Sequence, residues 1–495
     1  MPRQPAQLVL VLPPRAAGAP ATRWLYSALR AEILEGRLRP GARLPATRDL
    51  ATHYGLARGT IVGAFERLKS EGYIEARAGS GSYVARVLPR QLISITRPAG
   101  LPQPRRRAQP RRLSDYGRRL RRFANFEPRP TRAFRADQPA LDLFPTTLWA
   151  QVASRRLRRA TIDLLLACGP LGYRPLQEAV ADYLTTSRGV RCQPDQVAIL
   201  SGVQEALDLV ARLFLDPGDR VAIENPGYIG ATLVFEALGA TVAPIRLDDE
   251  GLTVGDAALK GARLVYVTPA HQFPLGVSMS LPRRLALLRW ARGSGALILE
   301  DDYDSEFRYA GRPVPALQGL DRHGQVLFAG SFSKVLFPSL RLGYLVLPTD
   351  LVDRFAAAQS LTNRHAPLLE QAVLADFITA GHFGRHVRRM RDVYGERLSV
   401  LLECARARLT GLLEISGVEA GLQTAGWLPN RIDGAAVAKA AAEREVEVTP
   451  LARYARARMV RDGLVLGFAA VDGREIDRGV RELEATLDPL VRRRE

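Results

Sequence analysis

Lys334 is one of only four lysines in a chain that carries 66 arginines. It stands in Gly330-Ser331-Phe332-Ser333-Lys334, where an apolar run at 325–329 gives way to small polar residues. Arginine supplies charge as well as lysine does, but it cannot lose its proton and form an imine. A lysine retained at such a junction is a candidate for imine chemistry with pyridoxal phosphate (PLP). Alone it is more often an ordinary surface ammonium, so its companions decide. Asp301 follows an apolar run at 296–300 and is placed to hold a protonated pyridine nitrogen, which makes the ring an electron sink. Tyr228, in Glu224-Asn225-Pro226-Gly227-Tyr228, offers a ring for stacking. Ser201-Gly202-Val203-Gln204 follows an apolar run and opens a helical stretch, so its backbone N–H groups and the helix dipole form a phosphate cup. Arg341, seven residues after Lys334, offers a guanidinium to the same phosphate beside Ser331 and Ser333. Each signal is weak alone, and together they describe one cofactor site.

The elements that must position these residues are visible as a texture. Short apolar runs at 197–200, 220–224, 264–268, 296–300, 325–329 and 342–347 alternate with helical stretches such as 203–214 and 281–292. Runs of this kind are strands buried on both faces, with helices as crossovers. The site residues then fall at the C-terminal ends of strands, where open α/β sheets bind ligands. From about residue 368, long helical stretches with a few short strands predict a smaller second subdomain.

The chain's 495 residues, 47% of them hydrophobic, suffice for two or three domains. A net charge of +19 favours a polyanionic partner, although a GC-rich genome accounts for part of the arginine excess. Cys168, Cys192 and Cys404 are scattered, with no CxxC and no His cluster near them, which predicts reduced structural thiols and no metal site. The apolar run at 8–12 is too short for a signal peptide, and no uninterrupted run of 18 apolar residues occurs. A cytoplasmic protein without a membrane partner is the expectation.

Residues 1–20 are rich in Pro and Ala and read as loosely attached. A compact head follows at 21–86. A helix over 23–35 places Trp24, Leu25, Ala28, Leu29 and Ile33 on one face, and Gly36 stops it. A second helix begins near Thr47, the expected N-cap, and turns at His53-Tyr54-Gly55-Leu56-Ala57. A third, over 58–71, buries Ile61, Phe65 and Leu68 and leaves Arg58, Thr60, Gly63 and Arg67 outward. Two strands at 73–77 and 82–84 are joined by a Gly-rich tip, which completes a winged helix-turn-helix whose third helix can enter a major groove. Between 105 and 122 nine arginines face one acidic residue, Asp115, so 87–133 reads as a solvated, self-repelling linker.

The head resembles the GntR family of bacterial transcription regulators over about 65 residues, through Leu44-Pro45, Thr47-Arg48-Asp49-Leu50-Ala51 and Arg58-Gly59-Thr60. That resemblance implies DNA contacts from Arg48, Arg58, Thr60 and the wing residues Gly79 and Ser80. Arg43, Arg67 and Lys69 add attraction to the DNA backbone. Residues 134–490 resemble fold-type I aminotransferases: an α/β body with a mainly parallel central sheet and a small α+β subdomain. The resemblance makes Lys334 the catalytic, imine-forming lysine and Asp301 the partner of the ring nitrogen. Tyr303 would contact the phenolic oxygen, Tyr228 would stack, and Gly202, Val203, Gln204, Ser331, Ser333 and Arg341 would hold the phosphate. A GntR-type head joined to such a body is similar to the MocR subfamily.

What this implies is a bacterial, cytoplasmic, PLP-dependent regulator, nucleoid-associated when bound to a double-stranded DNA operator. Its body would sense PLP or an amino compound. It would be a homodimer, domain-swapped or head-to-tail. The alternatives are a working aminotransferase with an accessory head and a GntR-type repressor whose body binds ligand without PLP, against which Lys334 with Asp301 argues. Three departures from the aminotransferase pattern bear on the choice. Phe273, in Gln272-Phe273-Pro274-Leu275-Gly276, replaces an asparagine, with His271 nearby as an ordinary structural histidine. Val465 replaces the arginine that clamps a substrate carboxylate, for which Arg453 is a substitute candidate. Ala167-Cys168 stands where an aromatic residue reaches a neighbouring subunit.

Overall fold

The computed structural model describes residues 10, 12–15, 18–77, 80–86, 111–121, 130–310, 315–415 and 417–492. The chain forms two compact units, Met1–Arg111 and Arg112–Glu495.

In the first unit, helices α1 (Ala21–Leu34), α2 (Thr47–Tyr54) and α3 (Arg58–Ser70) are followed by strands β1 (Ile74–Arg77) and β2 (Gly81–Val84). The strands pair antiparallel, Ile74 opposite Val84 and Arg77 opposite Gly81. Leu25, Leu29 and Ile33 of α1 meet Leu50 of α2 and Ile61, Phe65 and Leu68 of α3 in one apolar cluster, closed by Ile74 and Val84. Period-3.6 spacing on α3 dictates this face. Two expectations are corrected. Thr47 is the first residue of α2 and not its cap; Ala46 holds the cap position without a side-chain hydrogen bond. Leu10 and Leu12 are buried in the head cluster, and Leu12 N–H donates to Tyr54 Oη at 3.2 Å, so part of the 1–20 segment is attached by apolar burial.

The second unit is built on an eight-stranded sheet in the order β3-β10-β9-β8-β7-β4-β5-β6. Its strands are β3 (Val197–Leu200), β4 (Arg220–Asn225), β5 (Thr241–Asp248), β6 (Gly251–Leu252), β7 (Ala262–Val267), β8 (Leu297–Asp302), β9 (Val326–Ser331) and β10 (Gly343–Val346). The pairs β5/β4, β4/β7, β7/β8 and β8/β9 are parallel, while β10 runs antiparallel to both β3 and β9. That reversal places the start of β10, and Arg341 just before it, at the edge where β3, β8 and β9 end. A second, antiparallel sheet joins β11 (Glu414–Ile415), β12 (Gln423–Trp427), β13 (Thr449–Pro450) and β14 (Gly463–Gly467), in the order β11-β12-β14-β13. Helices His382–Arg408 and Gly473–Arg492 pack within its cluster.

The segment 133–137 is threaded along this smaller sheet. Ala133 bridges Val446 and Phe134 bridges Gly467. Gly467 must be glycine, because a Cβ there would stand 2.0 Å from the Arg135 carbonyl oxygen. Within the expected linker, Asp115–Arg119 forms a helix capped by Ser114, and Arg119 Nε donates at 3.0 Å to the Ala237 carbonyl near the end of the Ile229–Leu238 helix. A cation at a helix C-terminus is favourable. The expected linker residues 87–110 and 122–129 lie outside the described residues. Among the described residues no helix is long and apolar enough to cross a membrane.

Candidate cofactor site and nucleic-acid interface

Lys334 rides on the short helix Phe332–Val335, which directly continues β9 and is capped by Ser331 Oγ accepting from Ser333 N–H at 3.2 Å. Phe332 and Val335 anchor that turn in the core, which leaves Ser333 and Lys334 facing outward. Lys334 Nζ donates to the Asp137 carbonyl at 2.7 Å and lies 3.2 Å from Asp137 Oδ1.

Asp301 is the penultimate residue of β8 and is buried. Its Oδ2 accepts from Tyr266 Oη at 2.6 Å, while Oδ1 is buried without a hydrogen-bond partner. Burial pushes its carboxyl up to about 7; the Tyr266 hydroxyl lowers it, and Asp302 and Asp304 raise it further. A buried carboxylate oxygen with no donor is costly unless a cation or donor meets it. A protonated pyridine nitrogen is such a partner, so the residues present fit PLP.

The phosphate end fits as well. Gly202 turns at φ 114 between β3 and the Val203–Phe214 helix, so the backbone N–H groups of Val203 and Gln204, at the start of that helix, have no intrahelical acceptor and are available as donors. A Cβ at Gly202 would sit 3.6 Å from Arg341 Nη1, so the guanidinium lies directly over this turn. Gln204 Nε2 donates to Tyr228 Oη at 3.2 Å and fixes the tyrosine beside the cup. Gly230 makes room for that ring, since a Cβ there would be 2.5 Å from Tyr228 Cζ.

Tyr303 lies in a network that sequence reading only grazed. His271 Nδ1 is 2.9 Å from Asp304 Oδ1 and 3.0 Å from Tyr303 Oη, and His271 and Asp304 are both buried. With Asp304 ionised, and therefore only an acceptor, Nδ1 carries the proton. That single N–H donates to Asp304, so the Tyr303 hydroxyl finds no lone pair at Nδ1 and its own O–H stays free to donate to a ligand. His271 was legible as a residue but was read as ordinary; Asp304 was hidden in the acidic run 300–304. Tyr266, Gln423 and Asp137 were missed, having no local signal.

Phe273 is buried at the centre of an aromatic group, with ring centroids 5.8 Å from Tyr228, 5.7 Å from Tyr303 and 5.0 Å from Tyr454. Val465 is buried in β14 against Ala425 and Leu451. A guanidinium at Val465 would need a buried counter-charge. Arg453 is exposed on the 451–454 turn, beside Tyr454.

On the head, Arg58 begins α3 and is exposed, Thr60 is partly buried in its first turn, and Arg48 is exposed on α2. Arg43 reaches the wing: a Cβ on Gly81 would be 3.5 Å from its Nε. Ser80 Oγ shares a 2.6 Å hydrogen bond with Tyr83 Oη, Lys69 is exposed, and Gly79 lies outside the described residues. Arg67 is partly committed within the head, over the Tyr26 ring at 4.1 Å and 3.1 Å from Glu71. Arg58→Ala is therefore expected to weaken DNA binding by about 1–3 kcal/mol with some loss of specificity, and Arg67→Ala by less. Titrations at several salt concentrations check this: affinity should fall steeply with salt, and a salt-insensitive curve or an unaffected Arg58→Ala would refute it.

Residues 142–455 match the family described as aminotransferase class I and II, and residues 22–84 match the bacterial regulatory proteins of the gntR family. The chain is 39% identical over 474 residues to the probable rhizopine catabolism regulatory protein MocR of Rhizobium meliloti, covering 96% of this chain and 95% of that protein. The body is similar to the kynurenine aminotransferase of Pyrococcus horikoshii in complex with PMP, with a TM-score of 0.68 and 28% identity over 72% of this chain and 91% of that one. It is also similar to the α-aminoadipate aminotransferase LysN of Thermus thermophilus complexed with N-(5'-phosphopyridoxyl)-L-leucine. There the TM-score is 0.67 and the identity 29%, over 72% of this chain and 92% of that one.

Proposed function

Because the chain belongs to the MocR subfamily of GntR-type transcription regulators, it is a DNA-binding regulator with a PLP-dependent, aminotransferase-like body; we propose that this body senses an amino compound, or PLP itself, and passes its state to the winged head. The observation that carries the proposal is the buried, partnerless Oδ1 of Asp301 in the same site as Lys334. When bound, PLP supplies an aldehyde carbon that captures primary amines and a ring that draws electrons once its nitrogen is protonated. Asp301 would hold that proton, and Lys334 would supply the amino group for attachment. The N–H groups at Gly202, Val203 and Gln204, with Ser331, Ser333 and Arg341, would bind the phosphate. Tyr228 would cover the ring face. Tyr303, turned by His271, would donate its hydroxyl proton to the phenolic oxygen.

Sensing is favoured over turnover because productive transamination needs a held substrate carboxylate. The position expected to hold it, Val465, is packed in an apolar cluster. Arg453, exposed beside Tyr454, is the remaining candidate for that role. The protein is read as a cytoplasmic homodimer formed through the body. Support comes from the helix Ile162–Leu166, which exposes Ile162, Leu165 and Leu166 at 76%, 65% and 74% just before the segment read as reaching a neighbour. Two heads would then require two spaced half-sites and gain affinity through effective concentration.

Gel filtration of the PLP-loaded protein should give a dimer. Saturating PLP or an effective amine should change operator affinity by about 1–3 kcal/mol, with steady-state transamination below about 1 s⁻¹. A monomer with bound PLP, or turnover in the ordinary enzyme range, would overturn this reading.

A further inference from the structure

Asp137 is 197 residues from Lys334 in sequence, yet its carbonyl accepts from Lys334 Nζ at 2.7 Å and its Oδ1 lies 3.2 Å from the same atom. It is held there deliberately. Asp137 is a non-glycine residue at φ 66, a left-handed conformation that costs free energy and that Asp tolerates better than most residues. Its N–H donates at 3.1 Å to Oε1 of Gln423, a buried residue of β12, and the bridge from Phe134 to Gly467 clamps the preceding residues. A carboxylate is thus fixed at the reactive nitrogen by two elements of the smaller sheet.

Its charge reaches the whole effector side of the site. Asp137 helps push the hydroxyls of Tyr228, Tyr303 and Tyr454 up: it follows burial and Asp301 at Tyr228, burial and Asp304 at Tyr303, and burial alone at Tyr454, where it outranks the opposing effect of Arg453. The other cations nearby have separate tasks. Arg341 lies over the phosphate turn, and Arg135 reaches the Pro130 carbonyl and comes within 3.9 Å of Glu447. Where a carboxylate clamp is expected, Val465 contributes only apolar surface.

We infer that Asp137 is a specificity-determining residue that makes this site select primary amines carrying a cationic or hydroxyl group in place of a carboxylate. An amine seated where Lys334 Nζ lies brings its own substituents against Oδ1. A carboxylate there meets like charge, whereas an ammonium or hydroxyl finds an acceptor. The inference rests on the reading of the body as an amine-sensing PLP site.

The test uses the full-length, PLP-loaded protein and three amines of equal chain length: diaminopropane, aminopropanol and β-alanine. Calorimetry measures their affinities for wild type, Asp137→Asn and Asp137→Gly. Both substitutions suit a positive φ, so the fold is kept. Wild type should bind diaminopropane or aminopropanol about tenfold more tightly than β-alanine, and both variants should lose that preference. Equal or tighter β-alanine binding by wild type, a preference unchanged in Asp137→Asn, or failure of all three amines to bind overturns the inference. So does a β-alanine preference abolished by Arg453→Ala, which would make Arg453 a carboxylate binder. Borohydride labelling of Lys334 in the same samples separates the two levels: labelled protein without the selectivity sinks only the role of Asp137, whereas unlabelled wild type sinks the PLP reading as well.

Discussion

Lys334→Ala is expected to abolish covalent cofactor attachment completely while leaving the fold intact. Of the four lysines, Lys69, Lys260 and Lys439 are exposed, and Lys334 alone is drawn partly out of solvent. Truncating it removes the contact with Asp137 and no core packing, because the turn is anchored by Phe332 and Val335. The change in stability should stay within about 1 kcal/mol, the range of a partly exposed ion pair. The phosphate cup and Asp301 remain, so PLP should still bind reversibly. Borohydride reduction followed by mass spectrometry should place the phosphopyridoxyl group on Lys334 in wild type and nowhere in the variant. A label on Lys260 or Lys439, or an unfolded variant, would refute the assignment.

Legibility in the sequence followed the range of the interaction. The runs that became β3, β4, β7, β8, β9 and β10 were visible because strands buried on both faces are apolar throughout. The β5 strand was not, because polar positions and Pro244 interrupt its apolar pattern. Gly202 and Lys334 could be placed because a strand end, a glycine and a helix start are local signals. Asp137 could not, since its role comes from a pairing across 197 positions and a backbone φ that no neighbour announces. Tyr266 reads as one more apolar strand residue, and only the adjacency of β7 and β8 brings its hydroxyl to Asp301. Thr47 shows the limit of local rules: a good capping residue one position too late becomes the first turn of α2.

Asp301→Asn should make the apoprotein more stable and the loaded protein less so, with an effect that grows with pH. Burial pushes the Asp301 carboxyl from its ordinary 3.8 up to about 7. The folded apoprotein therefore holds this proton at pH values where the unfolded chain has released it. The stability contributed by that proton is fully present below about 3.8 and is lost as pH rises to about 7. Above that, the apoprotein carries an ionised buried carboxylate with one oxygen unmatched. Asparagine cannot ionise and still offers Tyr266 an acceptor, so the variant escapes the penalty. The gain over wild type should increase by on the order of 1–3 kcal/mol between pH 5 and pH 8. Burial also pushes Glu224, Glu300 and Glu306 up to about 7, and they impose a slope of the same sign in both proteins; Glu224 is raised by the Asp301 charge as well, so its relief in the variant adds to the pH-dependent difference. PLP reverses the ranking. A protonated ring nitrogen gives the ionised Asp301 the cation it lacks, so wild type should gain more from PLP than the variant, and most of all at pH 8. Urea unfolding at the two pH values, with and without PLP, measures all four terms. A pH-independent apoprotein difference would show that Asp301 is not the titrating group, and equal PLP stabilisation in both proteins would remove it from the ring nitrogen.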